Sequence, residues 1–362
     1  MKSTKEEPIS FDFNFDHLEK EDLIEINRSL KEKNVTNLNL ALNDLENASF
    51  TELMQNIKKN KTLKKLNLQE NRINTEKLKA LSEMLEENNS ITELYLDSNE
   101  FSDKHIEILS NSLKRNDTIK LLDLEMNEIS EEGIKHFSQF LKENKSLESL
   151  NLSENEMNDK SFEYFSDSLK NNQSFKELYL KKVFPSTLSI LMLTQAIIEN
   201  NLRVLDLSDN LLSEKSINYI SVFLKKNFKL HKLVLKNNNL GKKEINLISE
   251  SMKSNKTLRE FDLSNNKLGD QGIASFFKSI EDNNSLVSID LSFSDFSVDG
   301  AYHLSLFLLT NNSLRSLNVS HNNITSTGSE NIFKSLHSNK SLTNLNYSYN
   351  YVKKKNKKKK KN

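Results

Sequence analysis

Along most of the chain, apolar and polar residues alternate over a few positions, apolar residues then return at helical spacing, and the pair of patterns recurs. Leu63-Lys64-Lys65-Leu66-Asn67-Leu68-Gln69-Glu70-Asn71-Arg72-Ile73 aligns with Ile91-Thr92-Glu93-Leu94-Tyr95-Leu96-Asp97-Ser98-Asn99-Glu100-Phe101. The shared pattern, L-x-x-L-x-L-x-x-N-x-L, starts at 35, 63, 91, 119, 147, 175, 202, 230, 258, 286, 314 and 342. Every step is 28 residues except one of 27, between 175 and 202. Period-2 alternation in Leu66-Asn67-Leu68 and Leu205-Asp206-Leu207 predicts a short strand in each unit. Helical spacing follows: Ile134, Phe137, Phe140 and Leu141 share one face, with Glu131 and Glu132 ahead of them and Asn144 near the end. Strands separated by helices run parallel. One such unit has two half-apolar elements and cannot bury them alone, so the units must stack. Phe11, Phe13, Asp16 and Leu18 fit the same slots and predict a degenerate first unit that caps the stack.

These motifs resemble the leucine-rich repeat family, in its long, ribonuclease-inhibitor-like class, over about residues 8–352. The resemblance implies an α/β leucine-rich repeat solenoid of horseshoe form, with a parallel sheet on the concave face and helices on the convex face. The expected organisation is a flexible N-terminus at 1–7, a capping repeat at 8–34, twelve repeats at 35–352 in one elongated domain, and a disordered lysine tail at 353–362. The asparagine slot (Asn43, Asn71, Asn99, Asn127, Asn155, Asn210, Asn238, Asn266, Asn322, Asn350) has an architectural reading. A carboxamide both donates and accepts, so it can bridge the backbone of neighbouring turns.

The pattern breaks twice. In the unit starting at Phe175, Val183 takes the asparagine slot, Phe184-Pro185 follow, and the next unit arrives one residue early. Its helix, from Leu188 to Ile198, is apolar almost all round and includes Leu191 and Met192. This is either a contact patch or a deletion compensated by core packing. In the unit starting at Leu286, Ser294 replaces the asparagine. Its helix carries the expected core residues Ala301, Leu304, Phe307 and Leu308, and adds Tyr302, Leu306 and Leu309 on the outer side. Leu191, Met192, Tyr302, Leu306 and Leu309 are therefore candidates for a second, convex contact.

Strand residues between the leucines point to the hollow. Glu93, Tyr95, Asp97, Asp123, Glu125 and Met126 form an acidic cluster with one aromatic and one thioether; Tyr179, Lys181 and Lys182 come two units later. Asp206, Asp262 and Asp290 recur further on, with serine favoured two residues after them. Aromatics flanked by charges on an extended surface suit protein binding. The plainer reading is solubility, with aspartate a usual filler of its slot.

Composition narrows the function. The 362 residues carry 51 Lys+Arg and 51 Asp+Glu, but eight lysines lie between Lys353 and Lys361. The rest of the chain is acidic, so nucleic acid or an anionic membrane would be met only through that run. The lysine run reads as a nuclear import signal, a polyanion anchor, or a tract without a role. There is no cysteine, which removes disulfides and thiolate chemistry. Met1 to Phe15 has no apolar run and does not read as a secretory signal. The Asn-x-Ser/Thr matches, such as Asn60-Lys61-Thr62, are by-products of the repeat.

No phosphate-binding glycine loop, nucleophile elbow or H-E-x-x-H motif occurs, and the histidines fall in different phases of the repeat. The expectation is a non-enzymatic, monomeric interaction scaffold without cofactor, metal or small-molecule substrate. It would be cytoplasmic, or nuclear if the lysines import it, and would bind a protein partner on its concave face. Two alternatives stand beside it. Ribonuclease-inhibitor-like repeats also build activators of the Ran GTPase, which implies a small-GTPase regulator. Arg72, directly after Asn71, is the arginine placed nearest that role, although the activators' longer arginine loop and acidic C-terminus are not seen. The other alternative is a nuclear or membrane-surface adaptor that uses the lysine run.

Overall fold

The computed structural model describes residues 7–15 and 18–351. Residues 1–6, Asp16 of the cap, His17, and 352–362 with the lysine run lie outside the described residues. The chain divides into two compact units, Met1–Leu202 and Arg203–Asn362. The division falls at the start of the repeat that arrives one residue early.

In the first unit, strands and helices alternate: β1 (Ile9–Asp12), α1 (Lys20–Glu32), β2 (Val35–Asn39), α2 (Asn47–Lys59), β3 (Lys65–Asn67), α3 (Thr75–Glu87), β4 (Glu93–Tyr95), α4 (Asp103–Leu113), β5 (Leu121–Asp123), α5 (Glu131–Glu143), β6 (Ser149–Asn151), α6 (Asp159–Leu169), β7 (Glu177–Tyr179) and α7 (Thr187–Ile197). The second unit continues the plan with β8 (Val204–Asp206), α8 (Glu214–Lys226), β9 (Lys232–Val234), α9 (Lys242–Met252), β10 (Glu260–Asp262), α10 (Gly269–Ser279), β11 (Ser288–Asp290), α11 (Val298–Thr310), β12 (Ser316–Asn318), α12 (Ser326–Leu336) and β13 (Asn344–Asn346).

Within each unit consecutive strands pair in parallel, and apart from a shift between Ile9 and Ser10 in the β1–β2 pair they keep register, so Leu38, Leu66, Leu94, Leu122 and Leu150 line up in one, and Leu233, Phe261, Ile289 and Leu317 in the other. These residues are buried to within about 2%. Strands repeat every ~4.8 Å whereas packed helices need ~8–10 Å. Each unit therefore curves with its sheet on the inner side.

Two asparagine columns carry the backbone through the turns. At the ninth position Asn99 donates from Nδ2 to the carbonyls of Leu68, Leu96 and Asp97 at 2.9–3.1 Å. Its Oδ1 accepts from the N–H of Asn71 and Ile73. The second column ends the helices. Asn88 donates to the carbonyls of Ile57 and Asn60 and accepts from the N–H of Ser90 and Ile91. This column explains the Asn-x-Ser/Thr matches: the Thr62 hydroxyl sits on Asn60 Oδ1, and Asn60, Asn88 and Asn255 are buried.

The chain leaves each strand through a left-handed residue. In all twelve repeats the eighth position has φ between 52° and 61° without being glycine. Only two column members upstream of the last three repeats, Asn237 and Asn265, are asparagine, the side chain that tolerates this region best.

Candidate interaction surface

The strand residues that alternate with the buried leucines form the surface of each sheet. At the fifth position the residue is Asn or Asp in nine of the twelve repeats, and the structure supplies the reason. Its side-chain oxygen accepts the N–H two residues on, as in Asn67 to Gln69, Asp123 to Glu125, Asn151 to Ser153, Asp206 to Ser208, Asp262 to Ser264 and Asp290 to Ser292, all at 2.8–3.0 Å. Asp206, Asp262 and Asp290 thus lie on the sheet of the second unit with their carboxylates tied to the turn. Burial still pushes Asp262 above the usual carboxylate range, against the hydrogen bonds from Ser264.

Tyr95 and Tyr179 are exceptions at this position, and both are in the first unit. They stand on β4 and β7 and wall a depression of about 230 Å³ whose floor is Leu121, Asp123, Ser149 and Asn151. The small side chains of β5 and β6 between two tyrosines create it. Tyr95 is held by Glu93 at 3.2 Å and Lys65 at 3.3 Å, with the Lys65 ammonium 4.4 Å from the ring centre. Tyr179 donates to Glu177, which also accepts from Ser149.

Asp97, Asp123 and Glu125 are brought together beside this depression. Burial, and then the charge of Asp123, pushes Asp97 up to about 7; Glu125 and Glu70 add to it. Burial also raises Asp123, opposed by hydrogen bonds from the Glu125 N–H and Asn151. Asn151 bridges Asp123 at 3.2 Å and Glu125 at 2.8 Å. Lys181 lies 3.6 Å from Glu125 and 2.9 Å from Glu154, and Lys182 pairs with the same Glu154. Hydrogen bonds from Lys181 and then Lys182 hold Glu154 below its usual value. Met126 sits at the left-handed turn after β5 instead of on a strand and is exposed.

Charge divides with the fold. Met1–Leu202 carries 26 Lys and Arg against 37 Asp and Glu, a net −11; Arg203–Asn362 carries 25 against 14, a net +11.

Comparison with known proteins gives this architecture its name. Models described as leucine-rich repeats match residues 59–82, 143–166, 254–277 and 310–333, and a further one matches 201–223. The chain is built of leucine-rich repeats. A chain in the crystal structure of the yeast Rad7 and Elc1 complex superposes on it with a TM-score of 0.54, over 88% of this chain and 83% of that one, at 16% identity. That likeness shows a shared fold. No curated protein matches the chain in sequence.

The remaining candidates lie elsewhere on the repeats. Leu191 and Met192 of α7 are half-buried, whereas Tyr302, Leu306 and Leu309 of α11 are exposed on the helix face of the second unit. Arg72 occupies a left-handed turn after β3, exposed, with its guanidinium 3.4 Å from Asp44. The neighbouring Lys77 is buried and anchors that turn, bonding Asp44 and the carbonyls of Asn71 and Arg72. Among the described residues no cluster of acids and histidines could hold a metal ion, and no helix is long and apolar enough to cross a membrane.

The sequence reading missed one group altogether. Phe293, His321 and Tyr349 occupy the eighth position of three consecutive repeats and stack on one another. Aligning the repeats by column would have shown the aromatic run.

Proposed function

We propose that this leucine-rich repeat protein is an interaction scaffold whose first-unit sheet takes a basic segment of a protein partner. In this reading a lysine or arginine side chain enters between Tyr95 and Tyr179, above Asp123. The observation that carries the proposal is the pair of tyrosines standing where other repeats hold a turn-forming Asn or Asp. They give up that backbone hydrogen bond and wall a depression beside the raised carboxyls of Asp97 and Asp123. An aromatic face and a partly desolvated carboxylate both favour a cation, and the net −11 of the unit would steer it there.

The test is affinity purification from lysate with the wild-type chain and a Tyr95→Ala/Glu125→Lys double variant, alongside direct binding of lysine- and arginine-rich peptides. The double variant is expected to lose a set of basic partners and to bind the peptides at least ~10-fold more weakly, the loss of one well-placed contact. An identical partner list with unchanged peptide affinity overturns the proposal.

A small-GTPase regulator is the second reading. What favours it is an open cleft of about 650 Å³ at the helix N-termini of the first unit, lined by Arg72, Lys77, Thr75 and His105. An exposed arginine there could reach a nucleotide site in trans. Single-turnover GTP hydrolysis by a panel of small GTPases, with the chain and its Arg72→Ala variant, decides it; no acceleration of any GTPase discards it.

A further inference from the structure

Where α8 of the second unit ends and the chain turns toward β9, an exposed phenylalanine breaks a rule of the repeat. The asparagine column that ends the helices, from Asn60 to Asn339, is followed by Lys, Asn, Asp or Gln in ten of its eleven occurrences. In the remaining one it is followed by Phe228, which is 67% exposed. The ring is not there by slackness of the chain. Asn227 is buried and accepts from the N–H of Lys229 and Leu230 at 3.0 and 2.8 Å, so the backbone on both sides of Phe228 is pinned. Nor does the core call for an aromatic at this position, which Asn284 and Asn312 fill in later repeats.

Charge supplies the second, independent observation. Lys225 and Lys226 lie in the last turn of α8, and Lys229 follows Phe228. One repeat on, beside them, Lys253 and Lys256 take the positions of Lys225 and Phe228. Arg203, His231 and Arg259 succeed one another at the second motif position, at the same end of the repeats, joined by backbone bonds of 2.8 Å. From Lys225 to Arg259 there are ten Lys and Arg against two acids, and both acids are engaged. Glu244 accepts from the Gly241 N–H at the start of α9, and Glu250 pairs with Lys253 at 2.7 Å. Lysines at a helix C-terminus complement its dipole, and α2 ends with Lys58 and Lys59 in the first unit. There, however, Lys58 meets Glu87 of the next helix at 2.7 Å. Among the described residues Lys225 and Lys226 meet no acid.

We propose that this end of the second unit is a peripheral membrane contact, with Phe228 entering the headgroup region of an anionic bilayer and Lys225, Lys226 and Lys229 meeting its acidic headgroups. The interface of a bilayer accepts an aromatic ring and ammonium groups side by side, and each lysine held near an anionic leaflet adds attraction. An acidic peptide or a phosphate backbone would pair the lysines and leave the pinned ring in water. The strands of these repeats pair in register, so their ends lie level and present the charges to a plane. The contact is separate from the lysine run and from the sheet of the first unit, and it depends on neither.

The chain has no tryptophan, so Phe228→Trp in the full chain places a single indole at the contact. The readout is then local to position 228, and a vesicle held by another part of the chain does not produce it. Circular dichroism confirms that each variant is folded. With mixed phosphatidylserine and phosphatidylcholine vesicles the indole emission is expected to shift to the blue and to be quenched by brominated lipid. With phosphatidylcholine alone it should do neither. Adding Lys225→Gln and Lys226→Gln should raise the lipid concentration for half-maximal quenching by about fivefold per lysine, and added salt should raise it further. A single-stranded oligonucleotide, a duplex and polyglutamate are the competing probes. The proposal is overturned if brominated lipid leaves the indole unquenched even where the chain sediments with the vesicles, or if uncharged vesicles quench it equally. It is also overturned if the lysine substitutions change nothing, or if a competing probe alters the emission and vesicles do not.

Discussion

Asp97 shows how much one side chain on this surface depends on its neighbours. Burial and then Asp123 push it up to about 7 from an ordinary 3.8. A carboxyl with a folded value above its unfolded value takes up a proton on folding between the two. Its ionisation therefore costs stability as pH rises from about 4 to about 7, and the cost is complete above that. Asp97→Asn removes it. The variant is expected to be more stable than wild type at about pH 8, by on the order of 1 kcal/mol once solvent screening is allowed for, with a correspondingly higher urea midpoint, and to converge with it near pH 4. Urea titrations across that range check this; equal midpoints at every pH reject the raised value. The individual roles at this scale were only partly readable beforehand. The asparagine column was legible because a buried carboxamide with five backbone partners, as Asn99 has, is costly to replace and so recurs at one period, with Val183 and Ser294 as the two breaks. Asp206, Asp262 and Asp290 looked like a recurring surface charge, and their bond to the N–H two residues on became visible only with coordinates.

Among elements, the helices are joined by caps that pass from one repeat to the next. Asp270, in the first turn of α10, accepts from the Ser297 N–H and hydroxyl and from the Gly300 N–H, each at 2.7 Å, at the start of α11. Asp103 does the same for Ser130 ahead of α5. Glycine at 300 is required by this closeness: a Cβ there would lie 2.8 Å from Phe296 and 2.9 Å from the Asp270 carboxylate. Burial works to raise Asp270, but the hydrogen bonds from Ser297 and Gly300 and the charge of His303 outweigh it and hold it below 3.8. The sign is opposite to that of Asp97: the stabilisation is present above the unfolded value and is lost as pH falls through the lower folded one. Asp270→Ala should cost about 1–2 kcal/mol near neutral pH, the scale of a lost N-cap, and progressively less below about pH 4. Denaturation at the two pH values checks it, and an equal loss at both would place the effect in packing instead. Element type and order were legible in the sequence, since period-2 and period-3.6 patterns alternate without ambiguity. The contacts between repeats were not. Asp270 and Ser297 are 27 residues apart, and the Phe293, His321 and Tyr349 stack spans two steps of 28. Each residue is ordinary alone and acquires its role only from the register.

For the molecule as a whole, the sequence irregularity at 175–202 and the division of the fold coincide. Within a solenoid each repeat is stabilised only by its neighbours, so cooperativity is limited by the weakest junction. In the first unit the ninth-position asparagines run to Asn155, and Val183 then takes the slot, buried and unable to offer a carboxamide to the backbone. The two units also differ in charge, at −11 and +11, which gives them different sensitivities to pH and salt. Such a chain should not unfold as one cooperative block. Urea unfolding, followed by circular dichroism and tyrosine emission, is expected to show two transitions. Leu66 and Leu317 are fully buried strand leucines at equivalent positions of the two units, and truncating either leaves a cavity costing ~2–5 kcal/mol. Leu66→Ala should therefore lower one midpoint and Leu317→Ala the other, each leaving its counterpart within error. If both variants shifted a single shared transition by the same amount, the repeats would be coupled across the junction despite Val183. The opposite charges would then belong to one cooperative body, and a basic partner docked on the first unit would stabilise the second as well.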